Sequence, residues 1–337
     1  MLISRTPLRI SLVGGGTDMP SFYEKFPGAC LSFAINKYIY VLVNKKFDNR
    51  FRISYSKTEN VDEIDNIEHC LIRETLRSAN VKEGLEVVTV ADIPGSGTGL
   101  GSSSALVVGL LNCLEKTKDN ERITPYWLAE TAFEIEMNAC HKPVGKQDHY
   151  AAAIGGFHML NFSKKEVLYT LVASNWDAGK PWSENELEQN MLLLWTGVAR
   201  PSSDILAQQK SNFLAGNTIE VGKELAALAE KTYYDLRVKG DFTDLANNIL
   251  YGWELKKKLA PWITNEWIDD WFSKAMNNGA WGGKLCGAGG GGFLFFIAPP
   301  DTHERIVEAT GLRKIDFKIE NEGSVIIKRA GWEAADL

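Results

Sequence analysis

A stretch in which glycine alternates with other residues and then gives way to three serines constrains this chain more than any other feature. It runs from Asp92 to Ala105 and reads Asp-Ile-Pro-Gly-Ser-Gly-Thr-Gly-Leu-Gly-Ser-Ser-Ser-Ala. Glycine has no Cβ, so alternate glycines let backbone N–H groups close around an anion, and a serine can cap the helix that follows. The free N–H groups at the start of that helix attract phosphate. Because residues 105–114 are mostly apolar and predict a buried helix, the stretch predicts a rigid loop that binds the phosphates of a nucleotide.

Three other phosphate-binding motifs are excluded by the residues themselves. No Gly-x-x-x-x-Gly-Lys-Ser/Thr segment of a Walker loop occurs. Residues 287–292 fit the glycine spacing of a dinucleotide-binding loop, but the strand-like segment 293–297 follows them where that site needs a helix. The His-Arg-Asp and Asp-Phe-Gly motifs of protein kinases are also missing. The chain is therefore not a nucleotide-binding protein of any of these three classes.

Residues 94–105 resemble the central motif of the GHMP small-molecule kinases, the family of galactokinase, homoserine kinase, mevalonate kinase and phosphomevalonate kinase. Two further segments are similar to that family's other motifs. Residues 5–18, Arg-Thr-Pro-Leu-Arg-Ile-Ser-Leu-Val-Gly-Gly-Gly-Thr-Asp, resemble its first motif, and residues 284–292, Lys-Leu-Cys-Gly-Ala-Gly-Gly-Gly-Gly, resemble its third. The three motifs occur in the family's order and extend over nearly the whole chain.

The resemblance implies the two-domain α+β fold of the GHMP kinases. We expect an N-terminal ribosomal-protein-S5-like α/β domain over residues 1–180 and a helix-rich, ferredoxin-like α+β domain over residues 181–337, with the boundary in the polar stretch 175–190. Hydrophobic periodicity adds strands and helices to this outline. It predicts strands over 2–13, 85–91 and 293–298, and helices over 61–80, 125–140 and 148–154.

Within the family, four segments resemble the D-glycero-D-manno-heptose 7-phosphate kinases: residues 14–18, 37–40, 143–153 and 195–206. Galactokinase-like enzymes carry Gly-Glu-His-Thr-Asp where this chain has Gly-Gly-Gly-Thr-Asp, which argues against galactose. The resemblance implies ATP-dependent phosphorylation of the heptose phosphate at its anomeric hydroxyl, giving the 1,7-bisphosphate. An L-fucose-like or other sugar 1-kinase is the alternative in the same class, since fucose kinases carry a related first motif, and a non-catalytic sugar sensor is the alternative in another class.

The composition agrees with a globular enzyme. The chain has 337 residues, of which 45% are hydrophobic, and a net charge of −6, which leaves no basic surface for nucleic acid. No apolar run approaches the ~18 residues that a membrane span needs, and the N-terminal segment is unlike a signal peptide. The five cysteines lack Cys-x-x-Cys spacing, which indicates reduced thiols. We therefore expect a cytoplasmic enzyme without a nucleic-acid or membrane partner, and the sequence leaves the oligomeric state open.

The resemblance implies that Asp148 is the catalytic base and that Arg9 lies beside it. Asp148 occupies the family position in Pro-x-Gly-x-x-Asp, and Arg9 precedes Asp18 by nine residues, as in the family's sugar kinases. A carboxylate there would accept the proton of the sugar hydroxyl, and the arginine would neutralise charge on the transferring phosphoryl group. The structural alternatives are a helix cap for Asp148 and a surface strand arginine for Arg9.

The cofactors implied are ATP and Mg²⁺. Phosphoryl transfer depends on positioning and charge neutralisation, and Mg²⁺ prefers oxygen ligands. By motif matching, Ser103 and Glu136 are the metal ligands. Glu134 is the second candidate for the carboxylate ligand, because the helix register is uncertain by a residue or two. The structural alternative for Glu136 is a position on a solvated helix face. The residues expected around the ATP phosphates are Pro94, Gly97, Gly99, Leu100, Gly101, Ser102, Ser103 and Ser104.

The substrate is expected at the first motif. Gly16, Thr17 and Asp18 would face the sugar, because a carboxylate can bind a diol through two charge-assisted hydrogen bonds. A turn-forming aspartate is the alternative for Asp18. The phosphate of a sugar phosphate needs a cation, and Arg200 is the first candidate because it lies in a segment that resembles the heptose kinases. The further candidates are Lys142, Lys146 and Arg73.

Overall fold

The computed structural model describes residues 1–94, 97–116, 123–172 and 181–329. Its strands are β1 Leu2–Val13, β2 Gly28–Lys45, β3 Phe51–Ser54, β4 Thr58–Val61, β5 Leu85–Ala91, β6 Phe157–Phe162, β7 Val167–Leu171, β8 Met191–Trp195, β9 Gly282–Leu285, β10 Phe293–Ile297, β11 Arg313–Lys314 and β12 Val325–Arg329. Strand β1 confirms the strand predicted over 2–13, and β5 and β10 confirm the other two within one residue.

Helices connect and cover these strands. The α-helices are α1 Pro20–Tyr23, α2 Cys70–Ser78, α3 Ser102–Lys116, α4 Pro125–Glu134, α5 Gln147–Ile154, α6 Glu184–Gln189, α7 Ser203–Leu214, α8 Ile219–Val238, α9 Phe242–Lys257, α10 Glu266–Asn277 and α11 His303–Thr310. Short 3-10 helices occur at Ile64–Asn66 and Pro300–Thr302, and a π-helix at Ile135–Ala139. Among the helices of the described ranges, none combines the length and the apolar character that crossing a membrane requires.

The first sheet supports the glycine-rich loop and the helix that follows it. Within the described residues it has eight strands in the order β12-β1-β2-β5-β3-β4, and β2 also pairs with β6, which pairs with β7. The long strands β1 and β2 run antiparallel, with Leu2 opposite Val43 and Val13 opposite Leu31. Helix α3 lies on these two strands and is buried along almost its whole length. Because its apolar side chains are buried all round, the N-terminus of α3 is held in place.

The second sheet joins the first through a shared core. Within the described residues it has four strands in the order β11-β8-β10-β9. Helix α8 packs on β2, and α9 packs on both β9 and β1. Phe33 on β2 and Phe295 on β10 have ring centroids 6.0 Å apart, and both rings contact Phe317. Aromatic pairs of this kind contribute about 0.5–1.5 kcal/mol beyond their buried area, so they tie the two sheets together.

The mixture of strands and helices confirms the predicted α+β class. The predicted boundary at residue 180 lies outside the described residues, so the division into 1–180 and 181–337 stays a prediction. The last strand returns to the first sheet, because β12 pairs antiparallel with β1 and Leu2 lies opposite Arg329. The chain therefore completes the second sheet before its last strand adds an edge to the first.

The prediction of a helix over 61–80 is wrong in its first half. Residues Thr58–Val61 form β4, which pairs with β3, and the α-helix begins only at Cys70. The carboxylate of Glu59 accepts hydrogen bonds from the backbone N–H groups of Glu68 and His69. These contacts hold a turn where the periodicity predicted a helix, because strand pairing and local capping outweigh weak propensity.

The helix predicted over 125–140 also changes its form within that range. It is α-helical to Glu134 and continues as a π-helix over Ile135–Ala139. The backbone N–H of Cys140 donates to the carbonyl of Ile135 at 3.0 Å, which is the i to i+5 bond of a π-turn. A π-turn shifts the helical register by one residue, and such turns occur frequently at functional sites. Within this segment Glu136 is buried, whereas Glu134 is exposed.

Candidate active site

A cavity of about 350 Å³ brings most of the predicted site residues together. Its walls come from the loop after β1, the glycine-rich loop before α3, the loop before α5 and the third glycine-rich segment. The predicted residues that line it are Arg9, Gly16, Asp18, Gly97, Gly99, Gly101, Ser102, Ser103, Ser104, Glu136, Asp148 and Arg200. The three motifs, far apart in the sequence, therefore converge on one site.

Among the residues first expected around ATP and the sugar, three do not line this cavity. Thr17 is fully buried, and its hydroxyl donates to the carbonyl of Gly14 at 2.8 Å. Leu100 is also buried, and its carbonyl accepts a hydrogen bond from the backbone N–H of Arg9 at 3.1 Å. Pro94 precedes the part of the loop that faces the cavity. The structure therefore does not support the expected contact of Thr17 with the substrate, or those of Pro94 and Leu100 with the ATP phosphates. Thr17 and Leu100 instead stabilise the loops through hydrogen bonds on the side away from the cavity.

Arg9 on β1 and Asp148 in the first turn of α5 form a bidentate ion pair at the cavity. Nε and Nη2 of Arg9 donate to Oδ1 and Oδ2 of Asp148, each at 2.7 Å, and Nη1 donates to the carbonyl of Gly99 at 2.6 Å. Burial alone would lower the pKa of Arg9, but the charge and hydrogen bonds of Asp148 outweigh it and raise that pKa. Neither structural alternative holds, because Arg9 is buried and the Asp148 carboxylate faces Arg9 without capping the helix.

Asp18 presents a second carboxylate to the cavity. Its Oδ1 accepts a hydrogen bond from the backbone N–H of Gly16 at 2.8 Å, and its Oδ2 accepts one from that of Gln147 at 3.2 Å. Burial raises the pKa of Asp18, and repulsion from Asp148 adds to this effect, while the two backbone hydrogen bonds oppose it. The contact with Gly16 is a local turn bond, so Asp18 both shapes its loop and faces the cavity.

Two glycine-rich segments pack backbone against backbone at Gly99 and Gly287. Their φ angles of +79° and +74° lie in the left-handed region that residues with a side chain rarely adopt. A Cβ on Gly287 would lie 2.4 Å from the Cα of Gly99. Gly97 and Gly101 also have positive φ, and such alternation turns successive N–H groups toward one side, which forms an anion-binding nest. The third motif thus supports the phosphate loop by close backbone contact.

Glu136 in the π-helix lines the cavity although it is only 1% exposed. Its Oε2 accepts a hydrogen bond from Ser104 Oγ at 2.9 Å and lies 2.9 Å from His149 Nε2, and its Oε1 lies 3.2 Å from Lys142 Nζ. Burial alone would raise the pKa of Glu136, but these partners, His149 first, lower it to about 2. The carboxylate is therefore charged and faces away from solvent, whereas Glu134 is exposed and does not line the cavity.

The start of α3 supplies hydroxyls and free backbone N–H groups to the cavity. The helix begins at Ser102, and the N–H groups of a first turn have no partner within the helix. With the helix dipole they favour an anion. Ser104 holds the carboxylate of Glu136, whereas the hydroxyl of Ser103 has no hydrogen-bond partner in the described part of the chain. Ser103 is therefore free to bind a ligand in the cavity.

Two of the four cations predicted for the substrate phosphate line the cavity. Lys142 does so while it pairs with Glu136. Arg200 is exposed and lies against the glycine-rich loop, since its backbone N–H donates to the carbonyl of Gly97 at 3.2 Å. The other two do not line the cavity and are held by carboxylates: Lys146 by Glu130 and Arg73 by Glu74.

Two buried lysines in the cavity were not among the predicted site residues. Lys256 in the last turn of α9 and Lys284 on β9 are both nearly inaccessible and line the cavity. Burial lowers the pKa of both lysines, that of Lys284 to about 8. Lys284 is the first residue of the third motif, and this position in the sequence could have identified it as a site residue. Lys256 is one of three consecutive lysines, 256–258, and no pattern in the sequence distinguishes it.

Comparisons with known proteins match two parts of the chain to models of protein families. Residues 66–156 match the model for the GHMP kinases N terminal domain, and residues 212–311 match that for GHMP kinases C terminal. The first match contains the glycine-rich loop, Glu136 and Asp148, and the second contains Lys256 and the third glycine-rich segment.

Three relatives show how far the similarity extends. D-glycero-alpha-D-manno-heptose 7-phosphate kinase of Campylobacter jejuni is 31% identical over 95% of this chain and 97% of its own length. The crystal structure of a D-glycero-D-manno-heptose 1-phosphate kinase from Bacteroides thetaiotaomicron superposes with a TM-score of 0.77 at 26% identity, covering 98% of this chain and 100% of the other. The bifunctional fucokinase/GDP-fucose pyrophosphorylase of Arabidopsis thaliana is 24% identical over 97% of this chain but over only 32% of its own length.

The contact between the glycine-rich segments predicts the effect of Gly287→Ala. The added Cβ has no room beside Gly99, so the phosphate loop must move, and misplacement by about 1 Å can cost roughly 10²-fold in rate. We expect kcat/KM for ATP to fall by that order in steady-state kinetics. Gly311→Ala is the matched control, because Gly311 also has a positive φ, +67°, but a Cβ there would meet no atom within 4 Å. Equal effects of the two variants on ATP kinetics would contradict the role of the contact.

Proposed function

The chain belongs to the GHMP kinase family, and on that premise we propose that it is a sugar kinase that transfers the γ-phosphoryl group of ATP to the anomeric hydroxyl of D-glycero-D-manno-heptose 7-phosphate, giving the 1,7-bisphosphate. One observation carries the proposal: the Arg9–Asp148 ion pair lines the same cavity as the phosphate-binding loop and Asp18. A binding loop for the phosphate donor, a base and a polar site for the acceptor thereby line one pocket.

The identity of the sugar rests on the relatives and on the charge of the cavity. The two heptose phosphate kinases are similar to this chain over almost its whole length and their own. Both of their names specify a heptose that carries a phosphate, and a phosphorylated acceptor agrees with a cavity lined by several cations, Lys142, Arg200, Lys256 and Lys284. The lower identity to the fucokinase makes L-fucose the weaker candidate.

The reaction follows from the positions of Asp148 and Arg9. The oxygen of the acceptor hydroxyl forms a bond to the γ-phosphorus as the bond from that phosphorus to the β–γ bridging oxygen breaks, and ADP leaves. The Asp148 carboxylate accepts the hydroxyl proton. Arg9 holds this carboxylate in place through two hydrogen bonds. The N–H groups of the glycine-rich loop and of the start of α3 bind the donor phosphates. Asp18 orients the sugar by accepting hydrogen bonds from its hydroxyl groups.

The residues present fit a Mg²⁺ ion. The carboxylate of Glu136 and the hydroxyl of Ser103 supply oxygen ligands at the same cavity, and Glu136 is charged. When bound with the nucleotide, the ion neutralises phosphate charge. Lys142 occupies one carboxylate oxygen of Glu136, and because its side chain is 36% exposed it can move into solvent. His149 and Ser104 orient the other oxygen.

We further propose that the enzyme works in the cytoplasm. All five cysteines are free thiols, and none is paired with another in a disulfide. Such cysteine usage is typical of a reducing compartment, where ATP is also available.

A substrate panel tests the proposed function. The dianion of the 7-phosphate must meet a cation, and a hydrogen bond to a charged group contributes ~1.5–3 kcal/mol, or roughly 10- to 150-fold in affinity. Heptose 7-phosphate should therefore exceed free heptose, L-fucose and galactose by at least that margin in kcat/KM, measured by ADP release. Equal activity on free and phosphorylated sugars would support the fucose-like alternative, and no ADP release with any sugar would support the non-catalytic sensor.

Replacing the base tests the mechanism. Asp148→Asn should lower kcat roughly 10²–10⁴-fold, because an amide cannot accept the proton. The dissociation constant of ATP, measured by calorimetry, should stay nearly unchanged, since the amide preserves the shape of the side chain. Asp316→Asn is the control at an exposed aspartate, 94% accessible. Turnover like that of the wild type would remove Asp148 from the mechanism.

The metal ligands are tested by their response to Mg²⁺. Ser103→Ala and Glu136→Gln should each raise the Mg²⁺ concentration for half-maximal activity by roughly 10-fold or more. The double variant should be non-additive because both residues act through one ion. Ser104→Ala is informative beside them, since a larger shift there than at Ser103 would assign the ligand to Ser104. Additive losses of rate with unchanged metal dependence would contradict both ligands.

A further inference from the structure

Lys256 is a buried ammonium group at the first motif. Its Nζ donates to the carbonyl of Gly15 at 2.9 Å and lies 3.3 Å from Oε1 of Gln209, whose side chain is fully buried. An ammonium group has three donors, so one remains for a ligand in the cavity that Lys256 lines. A Cβ on Gly16 would lie 3.3 Å from this Nζ, which places the charge beside the loop where the sugar is expected.

Lys284 is a second buried ammonium group, and the described part of the chain supplies no counter-ion for it. It is only 5% exposed and lines the cavity, and within the described residues it makes no hydrogen bond or ion pair. The neighbouring thiol of Cys286 does not neutralise it, because burial raises the pKa of that thiol to about 11 and it stays uncharged. Lys256 and Lys284 also repel each other, and this repulsion adds to the effect of burial on the pKa of Lys284.

The carboxylates of the cavity are already engaged. Asp148 is held by Arg9, and Glu136 by Lys142 and His149. Asp18 accepts two backbone hydrogen bonds, and although its charge acts on Lys256, burial still lowers the pKa of that lysine. Burying an ammonium group costs free energy unless an anion compensates its charge, and within the described residues neither lysine forms a salt bridge, so two such groups are expected where an anion binds.

The position of the two lysines indicates which anion they bind. The glycine-rich loop, the start of α3 and Arg200, which lies against that loop, are available as partners for the donor phosphates. Lys256 contacts the first motif, and among the charged groups that act on it Asp18 comes first, ahead of Arg9 and Asp148. Building on the proposed function, we propose that Lys256 and Lys284 together form the receptor for the phosphate that the sugar already carries, and so select a phosphorylated acceptor. Arg200, the cation that the sequence suggested for this role, then serves the nucleotide side.

The test compares Lys256→Met, Lys284→Met and Arg200→Ala with the wild type. Methionine keeps the length of the lysine side chain and removes its charge, and Lys284→Gln is a second variant that keeps a polar group. Lys258→Met is the matched control, because Lys258 is exposed, lies two residues from Lys256 and does not line the cavity. The measurements are kcat and KM for heptose 7-phosphate, for free heptose and for ATP, together with the dissociation constant of heptose 7-phosphate by calorimetry without nucleotide.

Each lysine variant should raise KM and the dissociation constant for heptose 7-phosphate roughly 10- to 150-fold. The kinetic constants for free heptose and ATP should change much less than those for heptose 7-phosphate, and every constant of Lys258→Met should stay that of the wild type. A rise in KM for ATP would assign the lysines to the nucleotide, and an equal fall in kcat for both sugars would assign them to the transferring group. If only Arg200→Ala loses the preference for heptose 7-phosphate over free heptose, Arg200 binds the phosphate of the sugar. Each of these three outcomes overturns the proposal.

The wild type separates this proposal from the proposed function. If the unaltered enzyme does not prefer the phosphorylated sugar, the choice of substrate fails whatever the variants do. If it does prefer that sugar and the lysine variants keep the full preference in both kinetics and calorimetry, the substrate stands and the receptor is elsewhere.

Discussion

The bidentate pair between Arg9 and Asp148 is the interaction on which the rest of the site depends. Arg9 lies on strand β1 of the first sheet, and its guanidinium binds both the carboxylate on α5 and the carbonyl of Gly99. One planar group thereby fixes the distance between the Asp148 carboxylate and the glycine-rich loop. Because the arginine of the pair is buried, the attraction between the two charges is less screened by solvent and salt than that of a surface ion pair.

The phosphate-binding loop obtains its rigidity from two sides. Helix α3 is buried against the first sheet, which fixes the end of the loop that becomes helical. The third glycine-rich segment packs on Gly99 at a distance that no side chain would allow. Since this segment follows β9 and leads into β10 of the second sheet, the loop is held between the two halves of the fold. Nucleotide binding therefore depends on how the two sheets pack together.

The cavity carries a cost in stability that agrees with its function. Lys256 and Lys284 are buried with lowered pKa values, and Asp18 is buried with a raised one, so several groups are held in environments that disfavour their charged forms. Such groups persist where a ligand compensates them, which is the usual compromise between stability and activity at a functional site. The packing of helix α3, of the long strands and of the aromatic rings between the sheets contributes free energy of unfolding that offsets this cost.

The sequence alone determined the α+β class, several of the strands and the set of motifs, because glycine spacing and hydrophobic alternation are local properties of the chain. It placed Asp148, Arg9, Asp18 and the serines of α3 in one site through the family's motif order. Tertiary structure decided the rest: the burial of Glu136 within a π-helix, the internal use of the Thr17 hydroxyl, and the burial of Lys256 on a helix whose neighbouring lysines are more exposed. Burial and pairing depend on contacts between residues far apart in the chain, and no local pattern encodes them.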